Sequence, residues 1–481
     1  MQLYDDKLSG NHGCQIHPKL RDIFRSTDCC FQEKPKPEAN EKVDVRRYEV
    51  LCETTRVEGF DLGIFVAGKW HFAKSSSTLH FNILMAILPV SICKIIIYML
   101  VFIESQVDGQ NIDQELNVTF ISDAITKGAV CLDGTPGGYF FNKGFGDGIN
   151  SWMIYLPGGA WCNSTEACLK RSQLSPLGSN KNVPAKGLVT FKSQNKTANP
   201  DFYNWNFVEI LYCDGASFMA DVEAVNPQTK LHLRGRRIFT SVIEELMSTQ
   251  GMSNAENALL VGNSAGGLAT ILNCDRFNSF LPGACRVKCI SDSGFFIRAE
   301  HLRGAQDDTT YYFRDIVLFH ELAQFLPELC TQRLAPELCF FPENAVNDIQ
   351  TPLFLLNSDF NQYQISKRVA PNLPNEVGWY NCTTGFSEIS SCTENQQHII
   401  KDFQTTFLKT LEKLDDNPSR GLFIVSCYAH DFIYKRPYWQ GTPTLQNKSI
   451  QQAVGDWYFE RSSVLLIDTQ NIYPINCNVT V

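Results

Sequence analysis

The residues of this chain best suited to chemistry lie at positions 262–267, Gly-Asn-Ser-Ala-Gly-Gly. The apolar run 258–261 before them predicts a short buried strand, and the run 268–272 after them predicts the first turns of a helix. A strand, Gly-x-Ser-x-Gly and a helix form a nucleophile elbow, which holds the serine hydroxyl at the edge of a sheet. Ser264 is therefore a candidate nucleophile for acyl transfer. Because the pattern is short, a Gly-rich turn with a solvated serine is the alternative.

A second segment could supply the electrophilic half of such a site. The run 152–156 reads as a strand, and Pro-Gly-Gly-Ala-Trp-Cys follows at 157–162. Acyl transfer needs backbone N–H donors aimed at the developing oxyanion. In α/β-hydrolases one comes from the residue after the nucleophile and the others from a Gly-rich loop. These donors would be Ala265, Gly159 and Ala160, and the alternative is an ordinary strand-ending turn.

The general base of an α/β-hydrolase is a histidine that follows the serine in the chain. The chain has 9 histidines, and His430 comes directly after a strand-like run at 421–429. Three others lie between it and Ser264. His320 and His398 fall in helical stretches, and His301 follows no comparable strand. The sequence therefore predicts His430 as the base.

Further segments carry a family resemblance that extends from about residue 110 to the C terminus. They lie at residues 199–206, 212–218, 291–296, 339–342, 427–430 and 453–457. With the elbow, they make the chain similar to the plant pectin acetylesterases, secreted carbohydrate esterases distantly related to Notum-type carboxylesterases. The resemblance implies hydrolysis of acetyl esters on pectin without a cofactor. It also implies Ser264 as nucleophile, His430 as base, and Gly159, Ala160 and Ala265 as oxyanion donors.

The triad acid is where the chain departs most from that family. The family pattern Asn-x-x-Tyr-Asp places its acid at the position of Asn361. A neutral amide is a poor partner for an imidazolium, and Asp→Asn at this position in a serine protease lowers turnover roughly 10⁴-fold. If the segment is extended, residues 359 and 361 face the same side, roughly 6.5 Å apart. We therefore expect Asp359 to hold His430, and the alternative is an inactive protein.

Other departures and alternatives stay open at this stage. The family carries Cys at the positions of Asn263 and Asp431, and Glu at that of Pro157. Asp292 is a further candidate acid, although a turn-capping role suits it better, and Asp431 is expected to point away from the adjacent histidine. Two other functions remain. One is an esterase for longer acyl chains, and the other is a catalytically impaired carbohydrate-binding homologue.

The fold prediction rests on the 377 residues after position 104. Apolar strand-like runs alternate there with helical stretches such as 236–247 and 399–414, which is typical of an α/β domain. We predict an α/β-hydrolase-like sheet flanked by helices, with disulfide-stapled loops and insertions, over residues 110–481. Trp161, which follows the Gly-rich loop, is the tryptophan best placed to stack on a sugar.

The net charge of the chain limits the kinds of partner that it can bind. The net charge of −9 gives no sign of nucleic-acid binding. Because pectin is a polyanion, an acidic protein would need a local basic cleft to bind it. Possible members near the oxyanion loop are Lys170, Arg171, Lys186 and Lys192.

Cysteines and glycosylation sequons favour an oxidising compartment. Thirteen of the 18 cysteines follow residue 104, and three close pairs suit local staples: Cys162/Cys168, Cys330/Cys339 and Cys382/Cys392. The resemblance implies Cys162–Cys168 and Cys131–Cys213. A zinc site at Cys285 and Cys289 is the alternative, but no second pair stands at finger spacing, so no metal is predicted. Because thirteen is an odd number, at least one thiol would remain unpaired, and the loss of a partner cysteine at position 263 or 431 would explain it.

The glycosylation sequons agree with this compartment. The Asn-x-Ser/Thr triplets begin at Asn117, Asn163, Asn195, Asn381, Asn447 and Asn478.

The N-terminal part reads differently from the rest. Residues 1–80 have no clear periodicity and are predicted to be a disordered extension or an artefact of the gene model. The apolar stretch 81–103 could be a membrane signal anchor, but Lys94 would lie near mid-bilayer at a cost of about 2.5–3.5 kcal/mol. A signal peptide that starts at Met85, within the segment 81–104, fits better. The predicted location is the extracellular cell wall.

Overall fold

The computed structural model describes residues 115–174, 176–188, 190–299, 302, 306–369, 392–470 and 477, together with four short strands near the N terminus. The chain divides into two compact units, Met1–Asn111 and Ile112–Val481. The first contains two antiparallel pairs: β1 (Cys30–Glu33) with β2 (Tyr48–Leu51), and β3 (Thr55–Val57) with β4 (Phe60–Leu62). The segment 81–104, predicted as a signal peptide or anchor, lies outside the described residues. Within the described residues, no helix has the length and apolar character needed to cross a membrane.

The second unit is built on one mixed sheet of nine strands. They are β5 (Thr119–Phe120), β6 (Gly138–Asn142), β7 (Ser151–Leu156), β8 (Asn206–Ile210), β9 (Asn257–Asn263), β10 (Arg286–Asp292), β11 (Leu353–Ser358), β12 (Gly421–Val425) and β13 (Leu465–Ile467). Their spatial order is β13-β12-β11-β10-β9-β7-β8-β6-β5. Strands β7 to β13 are parallel, whereas β6 and β5 form an antiparallel edge.

Helices occupy the connections, as the predicted α/β class requires. The α-helices are α1 (Ala124–Lys127), α2 (Thr165–Ser172), α3 (Gly235–Thr249), α4 (Ala265–Phe280), α5 (Gln306–Phe319), α6 (Glu328–Thr331), α7 (Pro336–Cys339), α8 (Pro342–Ala345), α9 (Gln362–Gln364), α10 (Glu394–Leu411), α11 (Arg436–Gln440) and α12 (Ile450–Tyr458). Short 3₁₀ turns cover Gly146–Gly148, Thr190–Lys192, Met252–Asn254, Leu322–Phe325 and Val346–Asp348, and a π turn covers Ile365–Val369. The α/β-hydrolase-like fold class predicted from the sequence is confirmed.

Both faces of the sheet are buried, which explains why its strands read as continuous apolar runs. Along β7, Trp152 and Ile154 belong to one hydrophobic cluster, whereas Met153 and Tyr155 belong to another. Strand β9 divides in the same way, with Leu260 in the first cluster and its neighbours in the second. Alternating side chains point to opposite faces of a strand, so each central strand fastens helices to both sides.

The chain order of the central strands fixes where a site can form. After β7 the chain makes β8 on one side, and then crosses to make β9 on the other. Ligands of open α/β sheets bind in the crevice beyond the carboxyl ends of the strands where such a reversal occurs. Here the residues that follow β7 are the Gly-rich loop, and the residue that follows β9 is Ser264. The two predicted halves of the site therefore meet by topology.

The predicted helices exist, with boundaries set by caps that periodicity does not reveal. The stretch predicted at 399–414 is α10, which begins earlier, at Glu394, and ends at Leu411. Thr393 accepts the N–H of Gln396, whose side chain in turn accepts the N–H of Thr393, which is a capping box. The pattern Thr-x-x-Gln is therefore the signal that would have placed the start of the helix.

Disulfides confirm most of the predicted pairing. The structure contains Cys131–Cys213, Cys162–Cys168, Cys274–Cys289, Cys330–Cys339 and Cys427–Cys477. Cys382 of the predicted Cys382–Cys392 pair lies outside the described residues. Cys289 is bonded to Cys274, which removes it from the zinc alternative, and Cys285 is a free thiol.

The length of the closed loop predicts that two of these disulfides differ in how much they stabilise the protein. Cys131 and Cys213 are separated by 82 residues, and Cys162 and Cys168 by 6. Constraint of the unfolded chain should contribute about 4–5 kcal/mol for the long loop and about 2 kcal/mol for the short one. Replacing both cysteines of a pair by serine should therefore lower the unfolding midpoint in denaturant more for the 131/213 pair. Cys285→Ser is the control and should change it least; equal losses for both pairs would contradict the loop-length account.

Candidate active site

The strand–turn–helix at Ser264 has the geometry of a nucleophile elbow. Ser264 has φ 55° and ψ −124°, an unusual conformation for a residue other than glycine, and α4 begins directly after it. A Cβ at Gly262 would overlap the Gly266 carbonyl oxygen, and one at Gly266 would overlap that of Leu156. These glycines are therefore required by close backbone contact. The turn holds the Ser264 hydroxyl at the carboxyl end of β9.

His430 reaches this hydroxyl from the loop after β12. Its Nε2 lies 2.8 Å from Ser264 Oγ, within hydrogen-bond distance. The loop is anchored by Asp292, at the end of β10, whose Oδ2 accepts the backbone N–H groups of Phe432 (2.7 Å) and Ile433 (3.0 Å). Asp292 therefore holds the loop that carries the base, in keeping with the capping role expected for it.

Asn361, and not Asp359, faces the other ring nitrogen. Asn361 Oδ1 lies 3.0 Å from His430 Nδ1. The prediction that Asp359 holds His430 is wrong, because it assumed an extended chain through 357–361. Strand β11 ends at Ser358, and the chain then turns so that Asn361 caps α9. The alternation of side chains stops at that turn, which separates the directions of residues 359 and 361.

Asp359 is buried beneath the site with partners of its own. Its Oδ2 accepts hydrogen bonds from Gln404 Nε2 (2.8 Å) and Ser426 Oγ (3.0 Å). Burial raises the pKa of Asp359 to about 7, although these two hydrogen bonds act in the opposite direction. Its place in the structure is a support between β11, β12 and α10.

Asp431 was expected to point away from the histidine, and this expectation is also wrong. Asp431 Oδ1 lies 3.6 Å from His430 Nε2. Asp431 has φ 69°, a left-handed backbone conformation that turns its side chain back into the site. There it accepts a hydrogen bond of 2.9 Å from Asn263 Nδ2. Positions 263 and 431, where the resembled family carries Cys, are therefore hydrogen-bonded to each other. The fact that both positions depart from the family is the sequence signal that could have predicted this contact.

Two side chains hold the predicted oxyanion loop through hydrogen bonds to its backbone carbonyl groups. Gly159 O accepts Arg171 Nη1 at 2.7 Å, and Ala160 O accepts Tyr212 OH at 2.7 Å. In a trans peptide the N–H points opposite to the C=O, so the hydrogen bond from Arg171 to Gly159 O sets the direction of the Ala160 N–H. Among the described residues, neither Gly159 nor Ala160 donates its backbone N–H to the protein. Ala265 begins α4, so its N–H has no intrahelical acceptor.

A cleft of about 410 Å³ opens onto Ser264. It is lined by Tyr155, Pro157, Gly158, Gly159, Lys186, Lys192, Glu209, Asn263, Ser264, Asp431 and Tyr434. Glu209 is buried and bonds both Lys186 and Lys192. Burial opposes its ionisation, but the two ammonium groups outweigh burial and lower the pKa of Glu209. The cleft lining therefore includes a lysine–glutamate–lysine cluster.

Three residues expected at the cleft lie elsewhere. Lys170 is exposed on α2 and is not among the residues that line the cleft. Arg171 is buried beneath the Gly-rich loop, and Trp161 is buried among Phe296, Phe313 and Phe340, with its Nε1 donating to Ser217. Two other aromatic rings lie against His430: Tyr363 is stacked on it at a centroid distance of 5.3 Å, and Phe296 lies at 6.3 Å. Sequence reasoning missed Tyr363 because it follows a turn that was predicted to be extended.

The two other candidate histidines that the structure describes do not join the site. His320 directly follows α5 and is fully buried, and burial lowers its pKa to about 4. Its Nε2 bonds the Cys162 carbonyl at 2.8 Å, beside the Cys162–Cys168 disulfide. Cysteines joined in a disulfide offer no thiolate for a metal. His398 lies in α10, and His301 is outside the described residues.

Comparison with known proteins agrees with this arrangement. Residues 110–480 match the family model described as Pectinacetylesterase. The chain is 40% identical over 369 residues to Pectin acetylesterase 11 of Arabidopsis thaliana, which covers 76% of this chain and 92% of that protein. It is 40% identical over 357 residues to Pectin acetylesterase 7 of Arabidopsis thaliana, with 73% and 89% covered. It is 26% identical over 361 residues to Palmitoleoyl-protein carboxylesterase notum1a of Danio rerio, with 73% and 66% covered.

The position of Asp359 predicts a pH-dependent effect on stability instead of on catalysis. Its pKa is raised on folding, so the native state holds a proton that the unfolded state releases. The wild type should lose stability as pH rises between about 4 and 7, and the slope should vanish above that window. Asp359→Asn should remove this slope and keep kcat close to that of the wild type, as measured by thermal unfolding and esterase assays across the same pH range. A large loss of kcat at unchanged stability would contradict this assignment.

Arg171 should act on turnover through the oxyanion loop. Arg171→Met keeps the aliphatic stem but frees the Gly159 carbonyl, so the Ala160 N–H loses its fixed direction. A misplacement of about 1 Å costs up to about 10²-fold in rate, so kcat should fall by about 10- to 100-fold with a smaller change in KM. Lys170→Met, a neighbouring exposed cation, is the matched control. A rise in KM at constant kcat would show that Arg171 serves binding instead.

Proposed function

The chain belongs to the pectinacetylesterase family of carboxylic-ester hydrolases, and from that premise we propose that it removes acetyl groups from pectic homogalacturonan in the plant cell wall. The observation that carries the proposal is the line of hydrogen bonds from Ser264 Oγ through His430 to Asn361, with distances of 2.8 Å and 3.0 Å. This line faces a Gly-rich loop with two unbonded backbone N–H groups.

The chemistry follows from these contacts. Ser264 Oγ attacks the acetyl carbonyl carbon while His430 Nε2 takes the hydroxyl proton. The N–H groups of Gly159, Ala160 and Ala265 are the donors for the oxyanion of the tetrahedral intermediate. When the intermediate collapses, His430 returns the proton to the departing sugar oxygen. Water, deprotonated by the same nitrogen, then hydrolyses the acetyl-serine to acetate and free serine.

The lining of the cleft supports a short acyl group on a polar carrier. Its charged members are Lys186, Lys192, Glu209 and Asp431, whereas a long acyl chain needs a deep apolar pocket beside the nucleophile. Lys186 is the more accessible of the two lysines, with 35% of its side chain exposed against 12% for Lys192. We assign it the carboxylate of a galacturonate unit next to the acetylated sugar.

A longer-chain esterase is the second candidate, because relatives at 26% identity are named palmitoleoyl-protein carboxylesterases. Purified protein should release acetate from acetylated pectin and cleave p-nitrophenyl acetate faster than p-nitrophenyl palmitate. Ser264→Ala should abolish both activities without changing the fold. Faster cleavage of the palmitate ester would favour the second candidate. Binding of pectin without turnover of any ester would favour a catalytically impaired carbohydrate-binding homologue.

We also propose that the protein is secreted and glycosylated. The five disulfides between described cysteines, together with the sequons, support an oxidising, extracellular setting. Amino-terminal sequencing of the protein from its native tissue should find a start after the segment 81–104. A mature protein that keeps residues before 85 would overturn the signal-peptide interpretation in favour of a membrane anchor.

A further inference from the structure

The direction of the Asn361 amide is fixed by hydrogen bonds to backbone groups that cannot reverse. Asn361 Oδ1 accepts the backbone N–H of Gln364, so the carbonyl side of the amide must face α9. At the other end, Asn357 Nδ2 donates to the Phe295 carbonyl (3.2 Å), which leaves Asn357 Oδ1 to accept Asn361 Nδ2 (3.4 Å). A backbone donor and a backbone acceptor thus determine both amides. The atom that faces His430 Nδ1 is therefore an oxygen.

An oxygen at that place selects the tautomer that a triad requires. His430 Nδ1 must carry the proton that Asn361 Oδ1 accepts, and Nε2 is then the lone pair that accepts the Ser264 hydroxyl. In a serine protease, Asp→Asn is damaging because it imposes the wrong tautomer. Here the neutral amide keeps the correct tautomer. What it lacks is the negative charge that stabilises the imidazolium formed when Ser264 is deprotonated.

A carboxylate stands on the opposite side of the ring. Asp431 Oδ1 is 3.6 Å from His430 Nε2, and three elements hold Asp431 there. Asn263, at the end of β9, donates to its Oδ1 (2.9 Å); Tyr434 donates to its Oδ2 (3.3 Å); and its own N–H is accepted by Ser293 Oγ (2.9 Å). The carboxylate is thus fixed in place, with only 15% of its side chain exposed.

We propose that this chain divides the work of the triad acid between two residues: Asn361 fixes the tautomer of His430, and Asp431 supplies the charge that stabilises its imidazolium. The proposal rests on the esterase function proposed above. During acylation the Ser264 proton moves to His430 Nε2, and the positive charge then lies between the Asn361 carbonyl oxygen and the Asp431 carboxylate. When the leaving oxygen takes the proton, the charge disappears. Both residues act through the histidine and are positioning residues.

The charges around His430 agree with this division. Burial lowers the pKa of His430, the Asp431 carboxylate opposes that shift, and Lys435 adds to it. Lys435 Nζ also bonds the His430 carbonyl at 2.8 Å. Of the other acids nearby, Asp292 accepts backbone N–H groups of the same loop, and Asp359 bonds Gln404 and Ser426. Among the described titratable groups, Tyr363 also lies against the ring of His430.

Variants at the two positions provide the kinetic test. Asp431→Asn keeps an oxygen for Asn263, puts an NH2 group, from which the Tyr434 hydroxyl can accept a hydrogen bond, in place of the second oxygen, and removes the charge. We therefore expect kcat to fall by about 10- to 100-fold with KM less affected. Because the carboxylate raises the pKa of His430, its loss should also move the acid limb of the kcat/KM profile to lower pH. A merely structural residue would not shift that limb. An unchanged kcat and acid limb would overturn the proposal.

The double variant shows whether the two charges are interchangeable. Asn361→Asp places a carboxylate at Nδ1, so it should restore activity to Asp431→Asn and return the acid limb to higher pH. In the wild type the same change should raise kcat much less, since one charge is already present, which gives a non-additive cycle. Equal gains in both backgrounds would show that Asp431 contributes no charge and that Asn361 is a simple lesion.

The tautomer can be tested without turnover. In protein labelled with ¹⁵N-histidine, the His430 signals, identified by their loss in His430→Ala, should show Nδ1 protonated and Nε2 bare at high pH. Asn361→Leu should remove that preference, whereas Asp431→Asn should keep it. A proton on Nε2 in the wild type would overturn the role given to Asn361. If the wild type turns over no ester and its Ser264 does not react with a fluorophosphonate, while the tautomer is as stated, then the proposed function fails and the geometry of the inference stands.

Discussion

The site depends on the close approach between the end of β7 and the nucleophile elbow. Gly266 lies against the Leu156 carbonyl so tightly that a Cβ would overlap it, and a Cβ at Gly158 would come within 2.7 Å of Ser264 Cβ. The contact brings the first turn of α4 and the Gly-rich loop together, so Ser264 and the proposed oxyanion donors share one crevice. It exists because β7 and β9 are parallel neighbours with aligned carboxyl ends. The cost is a strained serine, which the buried core on both faces of the sheet sustains.

The residues that follow long regular elements could be predicted from the sequence, and those that follow turns could not. Ser264 and His430 come after strands whose apolar runs are plain, so their meeting follows from strand order. The prediction that Asp359 is the triad acid was wrong because it extended the alternation of side chains past Ser358, where β11 ends. Asn361 is a helix cap, and a cap obeys local hydrogen bonding instead of alternation. The predicted orientation of Asp431 was wrong for a related reason. Neighbouring side chains usually point in different directions, but the left-handed backbone conformation of Asp431 turns its side chain back toward His430.

The departures from the family at positions 263 and 431 make sense as a pair. Asn263 Nδ2 donates to Asp431, while its Oδ1 accepts Tyr155 OH (2.5 Å) and the Gly158 N–H (2.9 Å). One amide therefore ties the elbow, the Gly-rich loop and the loop of the base together. The expected unpaired thiol is present, and among the described residues it is Cys285. Because Cys285 lies just before β10, at the opposite end of the sheet, the suggested loss of its partner at 263 or 431 does not account for it.

The Asp431 carboxylate beside His430 repels the acidic substrate proposed above, and the lysines of the same cleft offset that repulsion. Asp431 favours the imidazolium, yet it repels any carboxylate of the substrate that comes near Ser264. In the same cleft, Lys186 and Lys192 share one buried Glu209, which leaves that cluster with one net positive charge. For the galacturonate chain proposed as substrate, this charge favours the orientation that brings an acetylated hydroxyl to Ser264 and a carboxylate to Lys186. Under the same proposal, repulsion from Asp431 disfavours a carboxylate beside Ser264, so the carboxylate that stabilises the His430 imidazolium also helps to select the orientation of the sugar.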